Sequence, residues 1–203
     1  MRCTGYQAHP FPELTDHCYS YLLGIYLGDG CLLRGRRGVY RLHICLDAQY
    51  PVIVCEAVAA AAVVMPASRA SSRPHLHERS VEVTSHSQHW PCLFPQHGPG
   101  PKHKRSIKLQ AWQRDITDRH PWQLLRGLVH SDGSRFLNRI RHPRKIYVYP
   151  RYTFTNYSAE IRGLFCEYCD KVGVEWRQMN HWNISVARRD AVALMDRFIG
   201  PKR

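Results

Sequence analysis

Long apolar runs and acidic residues are both scarce in this 203-residue sequence. The longest apolar stretch, around Ala57 to Met65, is too short for a membrane-spanning helix, which needs about 20 residues. The N-terminal sequence MRCTGYQAHPFPELTD also lacks the apolar segment of a signal peptide. These absences disfavour a membrane protein and predict a soluble, cytoplasmic one.

The shortage of acidic residues leaves a strongly basic chain. Lys and Arg number 29 against 16 Asp and Glu, which gives a formal net charge of +13. Such an excess favours a polyanionic partner, and nucleic acid is the commonest polyanion inside a cell. The basic residues recur along the whole chain and do not gather on one amphipathic helix, so a membrane surface is the weaker interpretation.

The sequence has eight cysteines but a single CxxC, formed by Cys166 and Cys169. The surrounding sequence IRGLFCEYCDKVG has helical periodicity, so both thiols are predicted to face the core as free cysteines. A zinc-dependent nucleic-acid module built on this pair and histidines stays open as an alternative.

One nine-residue pattern occurs twice, as LLGIYLGDG at 22–30 and LRGLVHSDG at 125–133. Each copy has glycine third, a small residue seventh, and Asp-Gly at its end. Each is followed by patterns typical of two strands, a helix, two strands and a short helix. The sequence therefore predicts two pseudo-symmetric αββαββα halves, residues 1–100 and 118–203, joined by a linker over 101–117.

Small residues in the repeated pattern suit two helices that cross closely. Gly24 and Gly28 share one helix face, and Gly127 and Ser131 repeat that spacing. Close crossing would bring Asp29 and Asp132 together at the helix ends. Paired carboxylates beside helix C-termini favour a divalent cation such as Mg²⁺. The simpler alternative is that each Asp-Gly only ends its helix.

The two motifs and the repeated element order resemble the LAGLIDADG homing endonucleases, in their single-chain, two-motif form. The resemblance covers about residues 13–203 and is loosely that of free-standing bacterial proteins. It implies an α+β fold with a saddle-shaped sheet surface and a monomer that binds double-stranded DNA. It also implies hydrolysis of two phosphodiester bonds with Mg²⁺ or Mn²⁺, and location on the bacterial nucleoid when bound.

The resemblance also implies roles for particular residues. The metal ligands would be Asp29 and Asp132 with the preceding Gly28 and Ser131. A basic residue follows the last helix of each half in the family, and here Lys102 and Lys202 occupy those places, with Lys104 and Lys108 as substitutes. Asp47 and Asn156 are candidates for the polar residue near the metal-bound water.

The predicted strands carry many basic residues that would contact DNA, because arginine suits both guanine and phosphate. The candidates are Arg34, Arg36, Arg37, Arg41, Arg69, Arg73, Arg135, Arg139, Arg141, Arg144, Lys145, Arg151, Arg177, Arg188 and Arg189.

Two alternatives of the same fold stay open besides the zinc module. The first is a non-cleaving DNA-binding regulator, although such derivatives typically lose a motif aspartate and both are present here. The second is an intron maturase, which would bind RNA on the same scaffold.

Overall fold

The computed structural model describes residues 13–75 and 79–203. The N-terminal segment, predicted not to be a signal peptide, lies largely outside these ranges. The first half contains α1 (Glu13–Asp29), β1 (Gly30–Arg34), β2 (Tyr40–Asp47), α2 (Pro51–Val64), β3 (Ser71–Pro74), β4 (Ser80–Ser87) and α3 (Trp90–Leu93). The second contains α4 (Ala111–Arg119), α5 (Pro121–Asp132), β5 (Gly133–His142), β6 (Lys145–Thr155), α6 (Ala159–Lys171), β7 (Arg177–Gln178), β8 (Asn183–Val186) and α7 (Arg189–Phe198).

Each half has its own four-stranded antiparallel sheet. The strand orders are β1-β2-β4-β3 and β5-β6-β8-β7, so the second sheet repeats the topology of the first. The repeat extends to register, because Gly30 pairs with Ile44 and Gly133 pairs with Phe154 at corresponding places. The predicted α+β class with two pseudo-symmetric halves is confirmed.

The two motif helices lie at the centre of the molecule. In α1 the five side chains of Leu22, Leu23, Ile25, Tyr26 and Leu27 are completely buried. A helix that is apolar on every side must be surrounded by other elements. It packs against α5, α2 and α4, so the two halves share one core around the α1–α5 pair.

Alternating burial in the strands leaves each sheet with one packed and one open face. In β2 the residues Leu42, Ile44 and Leu46 are buried, while Cys45 and Asp47 between and beyond them are exposed. The open face of each sheet is the side opposite the one that packs on the helices.

The interval predicted to be a linker contains most of an extra helix, α4. Its amphipathic period buries Gln113, Ile116 and Thr117, and Gln110 and Gln113 form a reciprocal capping box at its start. The described part of the stretch from 66 to 80, whose pattern is loose, forms the short strand β3 and the first residue of β4.

The CxxC cysteines are buried in α6 as free thiols, as expected. Burial raises the pKa of Cys166 to about 11 and that of Cys169 well above its ordinary value. Within residues 13–75 and 79–203, no group of three or more His, Cys, Asp or Glu is arranged to hold a metal. The same ranges contain no helix that combines the length and apolarity needed to cross a membrane.

Candidate functional site

The contact between α1 and α5 is a backbone-to-backbone contact made at glycine. A Cβ atom placed on Gly24 would lie 2.5 Å from the carbonyl oxygen of Leu124 and 2.9 Å from the Cα of Gly127. A Cβ on Gly127 would lie 2.8 Å from the backbone nitrogen of Ile25. No side chain fits in these gaps, so both glycines are needed for the two helices to cross this closely.

One turn later the two helix ends meet. A Cβ on Gly28 would collide with the side chain of Ser131 and lie 2.7 Å from Asp132 Oδ2. The Ser131 hydroxyl folds back to donate to the carbonyl oxygens of Gly127 and Leu128, at 3.1 and 3.0 Å. The close crossing therefore brings the carboxylate of one motif beside the backbone of the other.

The two aspartates are partly buried, and their pKa values are shifted by burial and by neighbouring groups. Burial, and then the neighbouring Asp132 carboxylate, raise the pKa of Asp29 to about 6, against the opposing charges of Lys202 and Lys102. Burial also raises the pKa of Asp132, while a hydrogen bond from Asn156 and both lysines act in the opposite direction. Two carboxyl groups held together in this way attract a cation.

Two lysine ammonium groups lie at the helix ends. Lys102 Nζ donates to the carbonyl oxygens of Tyr26 and Gly28, at 2.6 and 2.9 Å. Lys202 Nζ donates to the carbonyl oxygen of Ser131 at 2.9 Å. Burial lowers the pKa of Lys102 to about 8 and also lowers that of Lys202. Of the basic candidates before α4, Lys102 makes this contact, and Lys104 and Lys108 do not.

Two clefts flank the helix ends and combine residues from both halves. The Asp29 cleft is lined by Asp29, Asp47, Ser131 and Lys202, among others. The Asp132 cleft is lined by Asp132, Asn156, Gly28 and Lys102, among others. In each, the aspartate of one motif faces the residue that precedes the aspartate of the other.

The second polar residue of each cleft is held at the end of a strand. Asn156 Nδ2 donates to Asp132 Oδ2 at 2.7 Å, and Asn156 Oδ1 accepts from the backbone N–H of Ser158 at 2.7 Å. Asp47 Oδ1 similarly accepts from the backbone N–H of Gln49 at 2.9 Å. Both side chains therefore close a local turn, but only Asn156 also holds a motif aspartate.

The oxygen donors in the clefts suit a hard divalent cation. They are the carboxylates of Asp29 and Asp132 and the backbone carbonyls of Gly28 and Ser131, and hard oxygen ligands are those that Mg²⁺ prefers. Each of these carbonyls already accepts a hydrogen bond from a cationic lysine. A carbonyl oxygen has two lone pairs, so these hydrogen bonds leave room for a metal ligand role, and the oxygen chemistry of the donor set fits the predicted metal ligands.

Sequence reasoning missed two groups of residues beside the clefts. Arg162, buried in α6, donates through Nη1 to the carbonyl oxygen of Asn156 at 2.6 Å. His130 lines the Asp29 cleft, and its Nδ1 lies 3.0 Å from the Tyr21 hydroxyl and 3.7 Å from Glu56 Oε2. Burial lowers the pKa of His130 to about 3, so it is neutral. The two motif copies differ at this place, because Leu27 of the first copy corresponds to His130 of the second. That difference could have identified His130 from the sequence.

Strand register decides which predicted DNA contacts lie on the open faces. Directly paired residues point to the same side of a sheet, so the pairs that contain buried Leu42, Ile44, Tyr152 or Phe154 mark the packed faces. Strand alternation then places Arg41, Arg73, Lys145, Arg151 and Arg177 on the open faces. Exposed connections or helix starts carry Arg36, Arg37, Arg69, Arg144, Arg188 and Arg189.

The same register places four of the predicted DNA-contact residues on the other side of their sheets. Strand alternation directs Arg34, Arg135, Arg139 and Arg141 to the side opposite the open faces. The Arg135 guanidinium is bound by Asp196 of α7 through two hydrogen bonds, at 2.6 and 2.8 Å. Charge alone suggested these four residues, but the two-residue period of a strand puts every second side chain on the other face.

The architecture is shared with solved structures of DNA endonucleases. The structure of I-DmoI in complex with DNA and Mn matches 92% of this chain and 97% of its own, with 14% identity and a TM-score of 0.58. The LAGLIDADG meganuclease I-AabMI, bound to uncleaved DNA, matches 89% of this chain and 83% of its own, with 9% identity and a TM-score of 0.55. The chain has the fold of the LAGLIDADG homing endonucleases.

The same fold also occurs in a protein that is not described as an endonuclease. Full-length DUF199/WhiA from Thermatoga maritima matches 96% of this chain and 58% of its own, with 15% identity and a TM-score of 0.56. No family model matches the sequence, and no curated protein matches it either. These comparisons show the fold.

Proposed function

We propose that the protein is a site-specific double-strand DNA endonuclease that depends on a divalent metal ion, Mg²⁺ or Mn²⁺. The observation that carries the proposal is the pair of partly buried carboxylates, Asp29 and Asp132, at adjoining helix ends between two open sheets. Each carboxylate has its own cleft, and each cleft would cut one strand.

The residues of each cleft would have different roles in phosphodiester hydrolysis. Metal ions held by Asp29 and Asp132 with the carbonyls of Gly28 and Ser131 would activate water and offset phosphate charge. The ammonium groups of Lys102 and Lys202, which hydrogen bond to the same helix ends, would stabilise the added negative charge of the transition state. Asp47 and Asn156 would orient water.

The open faces would hold the duplex on both sides of the clefts. A net charge of +13 favours a nucleic-acid polyanion, and the arginines of the open faces can contact phosphates or guanine edges. Because one chain supplies both halves, both clefts and both sheets, a monomer would suffice to cut both strands.

A non-cleaving DNA-binding regulator is the second candidate, and one observation favours it. The match to WhiA covers 96% of this chain, whereas the matches to I-DmoI and I-AabMI cover 92% and 89% of it. The retention of both aspartates, each with a lysine at the adjoining helix end, supports cleavage instead. An RNA-binding maturase stays a further candidate of the same fold.

A cleavage assay separates these candidates. The substrate is the host locus rebuilt without the insertion that carries this gene, incubated with Mg²⁺, Mn²⁺ or EDTA. We expect discrete double-strand cuts that EDTA and the double variant Asp29→Asn/Asp132→Asn abolish. Asp115→Asn, which changes an exposed carboxylate in α4, is the matched control and should cut normally. Salt-sensitive binding without cutting would favour the regulator.

A further inference from the structure

A cavity opens on the outer part of the second sheet, away from the Asp29 and Asp132 clefts. It has a volume of about 560 Å³ and lies over β7, β8 and the neighbouring part of β6. Its lining includes Arg151, Arg177, Arg188, Ser185 and Trp176. The pairing of Ser185 with both Thr153 and Arg177 puts this lining on the open face of the sheet.

The cavity carries an excess of positive charge. Arg188 forms an ion pair with Glu175, which also lines the cavity, at 2.6 Å. The side chains of Arg151 and Arg177 make no hydrogen bond or ion pair with any residue in the described ranges, and only their backbones are paired, within the sheet. Two guanidinium groups therefore remain available, and each offers five N–H donors and no acceptor.

A buried hydroxyl at the same place also lacks a partner. Ser185 is 5% exposed, and its Oγ has no hydrogen-bond partner among the described residues. Ser185 lies on the central strand of the three, with Thr153 on one side and Arg177 on the other. A buried hydroxyl without a partner costs free energy, which a bound hydrogen-bonding group would recover.

We propose that this cavity binds one phosphate group, contacted by Arg151, Arg177 and the Ser185 hydroxyl. The free groups can all donate hydrogen bonds, and a phosphate offers acceptors in several directions. Trp176 already donates its indole N–H to Asp170 at 2.8 Å, so it forms an apolar wall. Because the cavity shares the open face with the proposed DNA surface, the phosphate would belong to the DNA backbone flanking the cut. The DNA assignment rests on the proposed function.

Salt dependence of binding tests whether two arginines share one phosphate. The slope of log K against log salt should fall by about 0.9 for each phosphate that the protein no longer neutralises. We expect the double variant Arg151→Gln/Arg177→Gln to reduce the slope by about one unit, with binding about fivefold to tenfold weaker, and either single variant, which leaves one guanidinium on the phosphate, to reduce the slope by less. Arg197→Gln removes an exposed charge from α7, which packs on the opposite side of the sheet, and should change neither value. A reduction of two units in the double variant would overturn the single-phosphate assignment.

The serine gives a second test with an unusual combination of results. Ser185→Ala removes a hydroxyl that has no partner among the described residues of the free protein, so the melting temperature should stay the same or rise. DNA binding should nevertheless weaken about threefold to tenfold. Ser20→Ala is the matched control, because its buried Oγ donates to the carbonyl oxygen of His120 at 2.9 Å. That variant should melt earlier and bind normally, and unchanged binding by Ser185→Ala would refute the proposal.

Neutral backbone substitution identifies the source of the phosphate. Duplexes with a single methylphosphonate are scanned across the site, in EDTA so that no cleavage occurs. One flanking position should weaken binding by the wild type and have no effect on Arg151→Gln/Arg177→Gln. If no position does so and the wild type instead binds inorganic phosphate through these arginines, the ligand is a free phosphate compound. If neither the position-specific effect nor phosphate binding is observed, the proposed phosphate site is refuted. If the position-specific effect is observed but the protein does not cut DNA, only the proposed nuclease activity is refuted.

Discussion

The Asp29 cleft and the Asp132 cleft come from the same sequence motif, yet they hold their aspartates differently. Asp132 accepts a hydrogen bond from Asn156, whose backbone is in turn held by buried Arg162. Asp29 has no side-chain hydrogen-bond partner in the described ranges, and Asp47 binds the backbone of Gln49 instead. A repeated fold therefore does not make two equal sites, because the residues behind the motif have diverged.

The hairpins that follow the motifs differ as well. β1 and β2 have 5 and 8 residues, whereas β5 and β6 have 10 and 11. The longer hairpin exposes Leu137, Ile146 and Val148 together with basic residues near its tip. If the open faces bind DNA as proposed, the longer strands of the second half predict two half-sites of unequal length.

The largest effect should come from removing one motif aspartate at a time. If each cleft cuts one strand, Asp29→Asn and Asp132→Asn should each slow cutting of a different strand by at least about 10²-fold. Supercoiled plasmid carrying the site would then accumulate as nicked circles, and strand-specific labels identify the surviving cut. If both variants spare the same strand, the assignment of one cleft to each strand is wrong.

The helix crossing is the most symmetric part of the molecule, so equal substitutions should have equal effects. Gly24→Ala and Gly127→Ala each place a Cβ against the backbone of the other helix, and each should lower the free energy of unfolding by about 1–3 kcal/mol. Chemical denaturation measures both. Gly163→Ala is the control, because a Cβ there meets nothing within 4 Å in the middle of α6, and it should stabilise by about 0.5–1 kcal/mol.

Arg162 supports Asn156, and Asn156 holds only Asp132, so a substitution of Arg162 should affect only the strand that is cut in the Asp132 cleft. Arg162→Met leaves the Asn156 carbonyl without its donor, which should cost about 1–3 kcal/mol of stability and loosen the side chain that holds Asp132. At a temperature where the variant is folded, cutting of the strand assigned to the Asp132 cleft should slow about tenfold. Cutting of the other strand and DNA affinity should not change. Equal slowing of both strands would indicate a general structural defect.

The features that could be predicted from the sequence are those that occur in both copies of the repeat. The repeat predicted that the small residues of the two motif helices allow a close crossing and that Asp29 approaches Asp132. Strand register could not be predicted, because a series of arginines such as Arg135, Arg139 and Arg141 does not show which face of the sheet each side chain takes. Helix α4 was missed because its short amphipathic pattern follows a segment rich in proline, glycine and basic residues.

The smallest effect concerns the pH dependence of stability. The folded protein raises the pKa of Asp29 to about 6, so the fold holds its proton more tightly than the unfolded chain does. The stability that this proton contributes is fully present below pH 4 and is lost as the pH rises through 6.

In metal-free protein at pH 8, Asp29→Asn should therefore raise the free energy of unfolding by about 1–2 kcal/mol. That difference should disappear near pH 4, where the wild-type carboxyl is protonated. Urea titrations at the two pH values measure it, with Asp115→Asn as the exposed control. If the gain is the same at both pH values, burial of the charged Asp29 carboxylate beside Asp132 is not its cause.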